Sequence, residues 1–132
     1  MTAGYAWDNP DKNVIRYILV TPWEWEQFHQ VLDDTRAEIR TFPHRVDVIV
    51  DMRESHKLPP DSMANLRLVA SRRPPNAGII AVVGASSLVT NLYKAFQKVY
   101  AAIDKRLSIH FAATLEEARE IVAAEREKDR VG

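Results

Sequence analysis

Apolar residues in this chain alternate between two rhythms, short continuous runs and longer stripes at helical spacing. Val14-Ile15-Arg16-Tyr17-Ile18-Leu19-Val20 is dense in β-branched and aromatic residues and predicts a strand over Val14–Thr21. Val46-Asp47-Val48-Ile49-Val50, ended by Asp51, predicts a second strand, Gly78–Val83 a third and Leu107–Phe111 a fourth. The middle runs are almost unbroken by polar residues, the pattern of strands covered on both faces. Between the runs, Trp25, Phe28, Leu32, Thr35 and Ile39 recur at helical spacing. Met63, Leu66, Val69 and Ala70 do so from about Asp61 to Arg73, and Leu92, Phe96, Val99 and Ile103 from about Ser86 to Asp104, with Val89, Tyr93 and Tyr100 widening that stripe.

Capping and turn residues sit where these periods change. Thr21-Pro22-Trp23-Glu24 reads as a helix start, with Thr21 as N-cap, Pro22 in the first helical position and Glu24 closing a capping box. Pro74-Pro75-Asn76-Ala77-Gly78 stops the second helix, Ser86 or Ser87 caps the third, and Thr114-Leu115-Glu116-Glu117 opens a fourth. The turn-forming stretch Asp8 to Asn13 separates Tyr5 and Trp7 from Val14 and predicts a hairpin. The expected fold is α/β, a mainly parallel four- to five-stranded sheet with an antiparallel N-terminal edge, four helices and helices on both faces. It forms one domain over residues 1–132, with 1–13 as the edge segment and 125–132 as a frayed charged tail.

The composition, 46% hydrophobic and 27% charged over 132 residues, is that of a globular chain. Without cysteine there is no disulfide, thiolate zinc site, iron–sulfur cluster or cysteine nucleophile, and a reducing cytoplasm is the expected compartment. Eighteen Lys+Arg balance eighteen Asp+Glu, so no global field draws in nucleic acid. No apolar run reaches the ~18–20 residues of a membrane-spanning helix.

Candidate chemistry gathers at the carboxyl ends of the parallel strands. Gly84-Ala85-Ser86-Ser87 turns a strand into a helix and leaves backbone amides that suit an anion, although neither a dinucleotide fingerprint nor a P-loop accompanies it. Asp51 sits where a receiver domain has its phospho-acceptor, but the partner carboxylates and lysine of that chemistry are missing. It therefore reads as a turn or cap residue. His29, His44, His56 and His110 lack the i, i+4 spacing of two ligands on one helix, and no nucleophile elbow supports a triad of Ser62, His56 and Asp51. No catalytic residue, metal or cofactor is assigned, and an enzyme is disfavoured. Arg67, Arg72 and Arg73 form a small basic cluster at a helix end.

Two aromatic features suggest surfaces. Trp23 and Trp25 lie about 200° apart on a helix, so only one is expected to face the core. Trp23 is then either covered by the Tyr5/Trp7 segment or offered to a partner. Tyr93 and Tyr100, one heptad apart, are expected on a flank of the third helix. There they are either covered within the chain or form a symmetric dimer interface.

The order of elements, together with Val48-Ile49-Val50-Asp51-Met52, Asp61-Ser62 and Phe111-Ala112-Ala113-Thr114-Leu115-Glu116-Glu117-Ala118, resembles the STAS domain of anti-anti-sigma factors and sulfate-transporter tails, especially the SpoIIAA-like group. The resemblance spans about Val14 to Glu127. It implies a non-catalytic regulatory or ligand-binding module that uses the loop before Asp61 and the carboxyl edge of the sheet to meet a protein partner or small ligand. It also implies that Ser62 matches the phospho-acceptor, with Met63 and Ala64 standing where switched members have a second serine and a glycine. A small anion- or nucleotide-binding protein or enzyme using Gly84 to Ser87 is the alternative.

Overall fold

The computed structural model describes residues 2–102, 104 and 106–131, apart from the side chains of residues 130 and 131. The chain runs β1 (Ala3–Trp7), β2 (Val14–Val20), α1 (Trp25–Ile39), β3 (Val46–Glu54), α2 (Ser62–Ser71), β4 (Ala77–Val83), α3 (Ser87–Tyr100), β5 (Ile109–Ala112) and α4 (Leu115–Val131). The sheet order is β1-β2-β3-β4-β5, with β1 antiparallel to β2 and every other pair parallel. This is the expected α/β sheet with its antiparallel edge. The hairpin is held by Asn9, whose side-chain oxygen accepts from the amides of Asn13 and Val14 at 3.1 and 3.3 Å.

Because β2 to β5 advance in one direction, right-handed crossovers put α1, α2 and α3 on one face, and α4 returns beneath the other. Strand alternation divides the core accordingly. Ile15, Tyr17, Leu19, Val46, Val50, Met52, Val82 and Ile109 point to the three-helix face, where Phe28, Leu32, Leu66, Val89 and Phe96 meet them. Val14, Ile49, Ile79, Ala81, Val83 and Ala112 point the other way, against Ala118 and Val122 of α4.

Several boundaries differ from expectation. Helix α1 begins at Trp25, because Glu24 is the N-cap of a reciprocal capping box in which the Gln27 side chain accepts from the Glu24 amide at 3.0 Å. Thr21 is not the cap; the Thr21–Pro22 peptide is cis, and the Thr21 hydroxyl accepts from the His56 amide at 3.2 Å. Strand β3 runs past Asp51 to Glu54, and β5 begins at Ile109. Met63, expected inside, is 38% exposed.

Trp23 is a further correction. It precedes the helix, so the helical step does not bind its ring, and both tryptophans are buried. Their rings meet edge to face at 4.9 Å; Trp23 Nε1 donates to Ser55 Oγ at 2.8 Å and Trp25 Nε1 to the Pro59 carbonyl at 3.2 Å. Trp23 is covered by Trp25, Phe28 and Ser55.

Helix α3 is rotated from the expected register. Val89, Tyr93 and Phe96 are buried, Tyr100 stacks on Phe96 at 5.3 Å, and Val99 is 63% exposed. Lys94 lies over the Phe111 ring at 5.8 Å and the Gln97 side chain accepts from the Ile109 amide at 3.2 Å. These ties lie on the flank against β5, and Tyr93 points inward, where its hydroxyl meets Met52 Sδ at 3.7 Å. Tyr93 is thus part of the core and not of an exposed flank. Ile103 lies outside the described residues.

Candidate functional site

The sheet face that carries α4 holds an alternating ladder of charge. Asp8 follows β1, Arg16 lies in β2, and Asp51 and Arg53 lie in β3. Arg119 reaches in from α4. Arg119 forms a two-pronged bond to Asp8 at 2.8 and 2.9 Å. Arg16 stands between Asp8 at 3.6 Å and Asp51 at 3.5 Å, and Arg53 grips Asp51 through Nε and NH2 at 2.9 and 2.7 Å. Register explains the order, since Ile18 pairs with Asp51 and Ala6 with Arg16. Burial pushes the Asp51 carboxyl up, but the side-chain and backbone hydrogen bonds from Arg53, with the charges of Arg53 and Arg16, outweigh it and hold Asp51 below its ordinary range. Asp51 is therefore an ionised structural carboxylate with both oxygens bonded, inside a strand and not at a turn.

A second cluster lies at the opposite end of β3. Asp47 is fully buried, accepts from the Ile79 amide at 2.9 Å, and is paired with Arg45 at 3.1 Å and with Arg126 of α4. Arg126 also donates to the Asn13 carbonyl at 3.1 Å, and Arg45 pairs with Asp129. Neither cluster was anticipated. Asp47 and Asp51 four apart in a strand share one face, and Arg119 and Arg126 seven apart share one helix face, but only the docking of α4 brings them together.

At the carboxyl edge, Gly84 has φ +71°, and a Cβ there would lie 2.7 Å from Arg53 Cγ and 3.0 Å from its Cα. Only glycine fits, for dihedral and for space. Ser86 caps α3 by accepting from the Val89 amide at 3.3 Å, while Ser87 and Leu88 are exposed. Ala85 packs against the main core. The Gly84 to Ser87 turn thus lies beside Arg53, and its Ser86 hydroxyl is engaged.

Asp61, at the N-cap position of α2, has the left-handed conformation, φ 63°, and its side chain makes no cap hydrogen bond. Its carbonyl accepts from the Asn65 side chain at 2.9 Å. Ser62 is the half-buried first residue of α2. The histidines do not converge: His110 bonds Ser108 at 2.9 Å, His29 bonds Asn65 at 2.8 Å, His44 stacks on Phe42 and His56 is exposed. Among the described residues no group of three His, Asp or Glu side chains is placed to hold a metal.

Large exposed apolar side chains include Met63 at 38% and Leu68 at 42% in α2, and Leu88 at 77% and Val99 at 63% in α3. Neither helix contains an acidic residue; α2 carries Arg67, and α3 carries Lys94 and Lys98. No helix among the described residues is long and apolar enough to cross a membrane. Comparison of the chain with protein-family models, with curated proteins and with solved structures finds no match.

Proposed function

We propose that this chain is a STAS-like regulatory module that acts by non-catalytic contact with a protein partner, through the loop before Asp61, the outer side of α2 and the exposed flank of α3. The observation that carries the reading is the pairing of exposed Leu68, Leu88, Met63 and Val99 with helices that bear only basic charge. Exposed apolar side chains on helices that carry basic and no acidic residues favour a protein surface with acidic groups. Ser62 opens α2 at the margin of this surface, where a phosphate is compatible with the helix dipole and changes the local charge. The polar groups of the sheet edge support the same reading, because Asp51 and the Ser86 hydroxyl are already bonded within the chain.

A second reading places a small anion or nucleotide at the Gly84 to Ser87 turn. It is favoured by one observation, the contact of Arg53 with Gly84 beside the start of α3. Capture from a lysate of the native host, run in parallel with wild type, a Leu68→Glu/Leu88→Glu variant and Arg53→Gln, separates the two. A protein recovered by wild type and Arg53→Gln but lost with the double variant supports the contact surface. Unchanged recovery by the double variant overturns it.

A further inference from the structure

Strand β5 forms one edge of the sheet, with β4 as its partner strand. The Ile80 amide donates to the Ser108 carbonyl at 2.9 Å and the Gly84 amide to the Ala112 carbonyl at 3.0 Å. By strand alternation Ser108, His110 and Ala112 therefore turn their backbone groups to β4, whereas Ile109, Phe111 and Ala113 turn theirs outward. Side chains close both ends of that outer row: Gln97 accepts from the Ile109 amide and Glu117 from the Ala113 amide, each at 3.2 Å. At the centre, the amide and carbonyl of Phe111 have no hydrogen bond among the described residues. Beside this edge runs a groove of about 380 Å³ lined by Lys94, Gln97, Lys98, Ala101, Ile109 and Phe111. Both lysines are exposed, no carboxylate lines the groove, and Lys94 Nζ lies 5.8 Å from the centre of the half-buried Phe111 ring.

An edge strand with free backbone groups is a template for another strand, and the side chains along the edge select its sequence. We propose that an extended acidic segment of a partner protein adds to β5 as a further strand, bonding at Phe111 and laying carboxylates along Lys94 and Lys98. Ile109 and Phe111 belong to the core face that carries α3, so alternate side chains of the added strand face the lysine-lined groove. Glu or Asp at every second position meets the two lysines, which stand four apart on one side of α3. A basic segment is repelled there. Antiparallel pairing of two β5 edges sets one pair of lysines against its copy on the same sheet face, so like charge opposes a second copy of this chain as the occupant. Leu88 and Val99 lie about 120° and 140° from Lys94 around α3 by the helical step, so the inference does not depend on the contact surface proposed above.

The test follows the backbone amides of the whole isotope-labelled chain by NMR while the end-capped peptide Glu-Val-Glu-Thr-Glu-Val-Glu is added. Saturable shifts should centre on Lys94, Lys98 and Phe111, and the bound peptide should slow exchange of the Phe111 amide with solvent, because a strand bond covers it. Lys94→Glu/Lys98→Glu changes two exposed positions, should fold, and should lose affinity by about tenfold or more. Lys98→Glu alone keeps the Lys94–Phe111 contact and should weaken binding in the same direction. Leu68→Glu/Leu88→Glu should bind the peptide as wild type does, which separates this edge from the contact surface proposed above. No saturable binding up to millimolar peptide, binding without protection of the Phe111 amide, or unchanged affinity of the lysine variants overturns the proposal. Protection of Phe111 that rises with protein concentration in the absence of peptide assigns the edge to a second copy and overturns it as well.

Discussion

Gly78 and Asp47 occupy the same space across adjacent strands: a Cβ on Gly78 would lie 1.8 Å from Asp47 Oδ1. The carboxylate cannot retreat, because Ile79, Arg45 and Arg126 all bond it. Gly78→Ala should therefore destabilise the fold by about 2–3 kcal/mol, in the upper range for overpacking. Gly4→Ala, where nothing lies within 4 Å, should stay within about 0.5 kcal/mol of wild type. Urea unfolding midpoints of the two variants check this.

Removing the carboxylate itself leaves the Ile79 amide and two arginines without their acceptor. Asp47→Ala should cost about 3 kcal/mol or more, and Arg126→Met less, since Arg45 still faces Asp47. Denaturation of both single variants and the double variant should reveal a coupling on the order of 1 kcal/mol or more.

Asp51 sets a pH dependence. Its folded-state pKa is below the ordinary 3.8, so its ionised form stabilises the fold above that value, and the contribution is lost as pH falls through the lower folded value. Wild type should exceed Asp51→Asn in stability at pH 7, and the gap should narrow as pH falls below 3.8. Chemical denaturation of the pair between pH 7 and pH 2.5 measures it. A gap that widens toward acid contradicts the assignment.

The Trp23–Ser55 hydrogen bond is buried at 2.8 Å. Trp23→Phe and Ser55→Ala should each destabilise by about 1–2 kcal/mol, and a double-mutant cycle should return a coupling of about 1 kcal/mol.

The rotation of α3 distinguishes neighbouring substitutions. Tyr93→Glu puts a charge where burial already pushes the tyrosine hydroxyl well above its ordinary range, and should unfold the chain. Val99→Glu, at a 63% exposed position, should change stability by about 0.5 kcal/mol or less. Circular dichroism of the two proteins at one temperature decides between this register and its alternative.

Local chemistry in the sequence was enough for the strands and most helix starts. Unbroken β-branched runs cannot be amphipathic helices, and the residues Ser86 and Thr114 bond the amides at their own helix starts. Trp25, Phe28, Leu32, Thr35 and Ile39 were legible as the inner side of α1 because α1 has a single apolar stripe. Helix α3 has apolar residues over a wide arc, so periodicity permits more than one inward direction; the packing of Val89, Tyr93 and Phe96 in the core, with the ties of Lys94 and Gln97 to β5, goes with Tyr93 inside and Val99 outside. The charged pairs were hidden for a related reason. Asp8 and Arg119 are separated by 111 positions and Asp47 and Arg126 by 79, and no local pattern links them. Their meeting depends on strand register and on α4 crossing beneath the sheet. Arg73 reads in sequence as part of a basic cluster at a helix end, yet its side chain is 5% exposed and donates to the Gly78 carbonyl. Local propensity acts over a turn or a pleat, whereas the partner of a charge is chosen by the three-dimensional path of the chain.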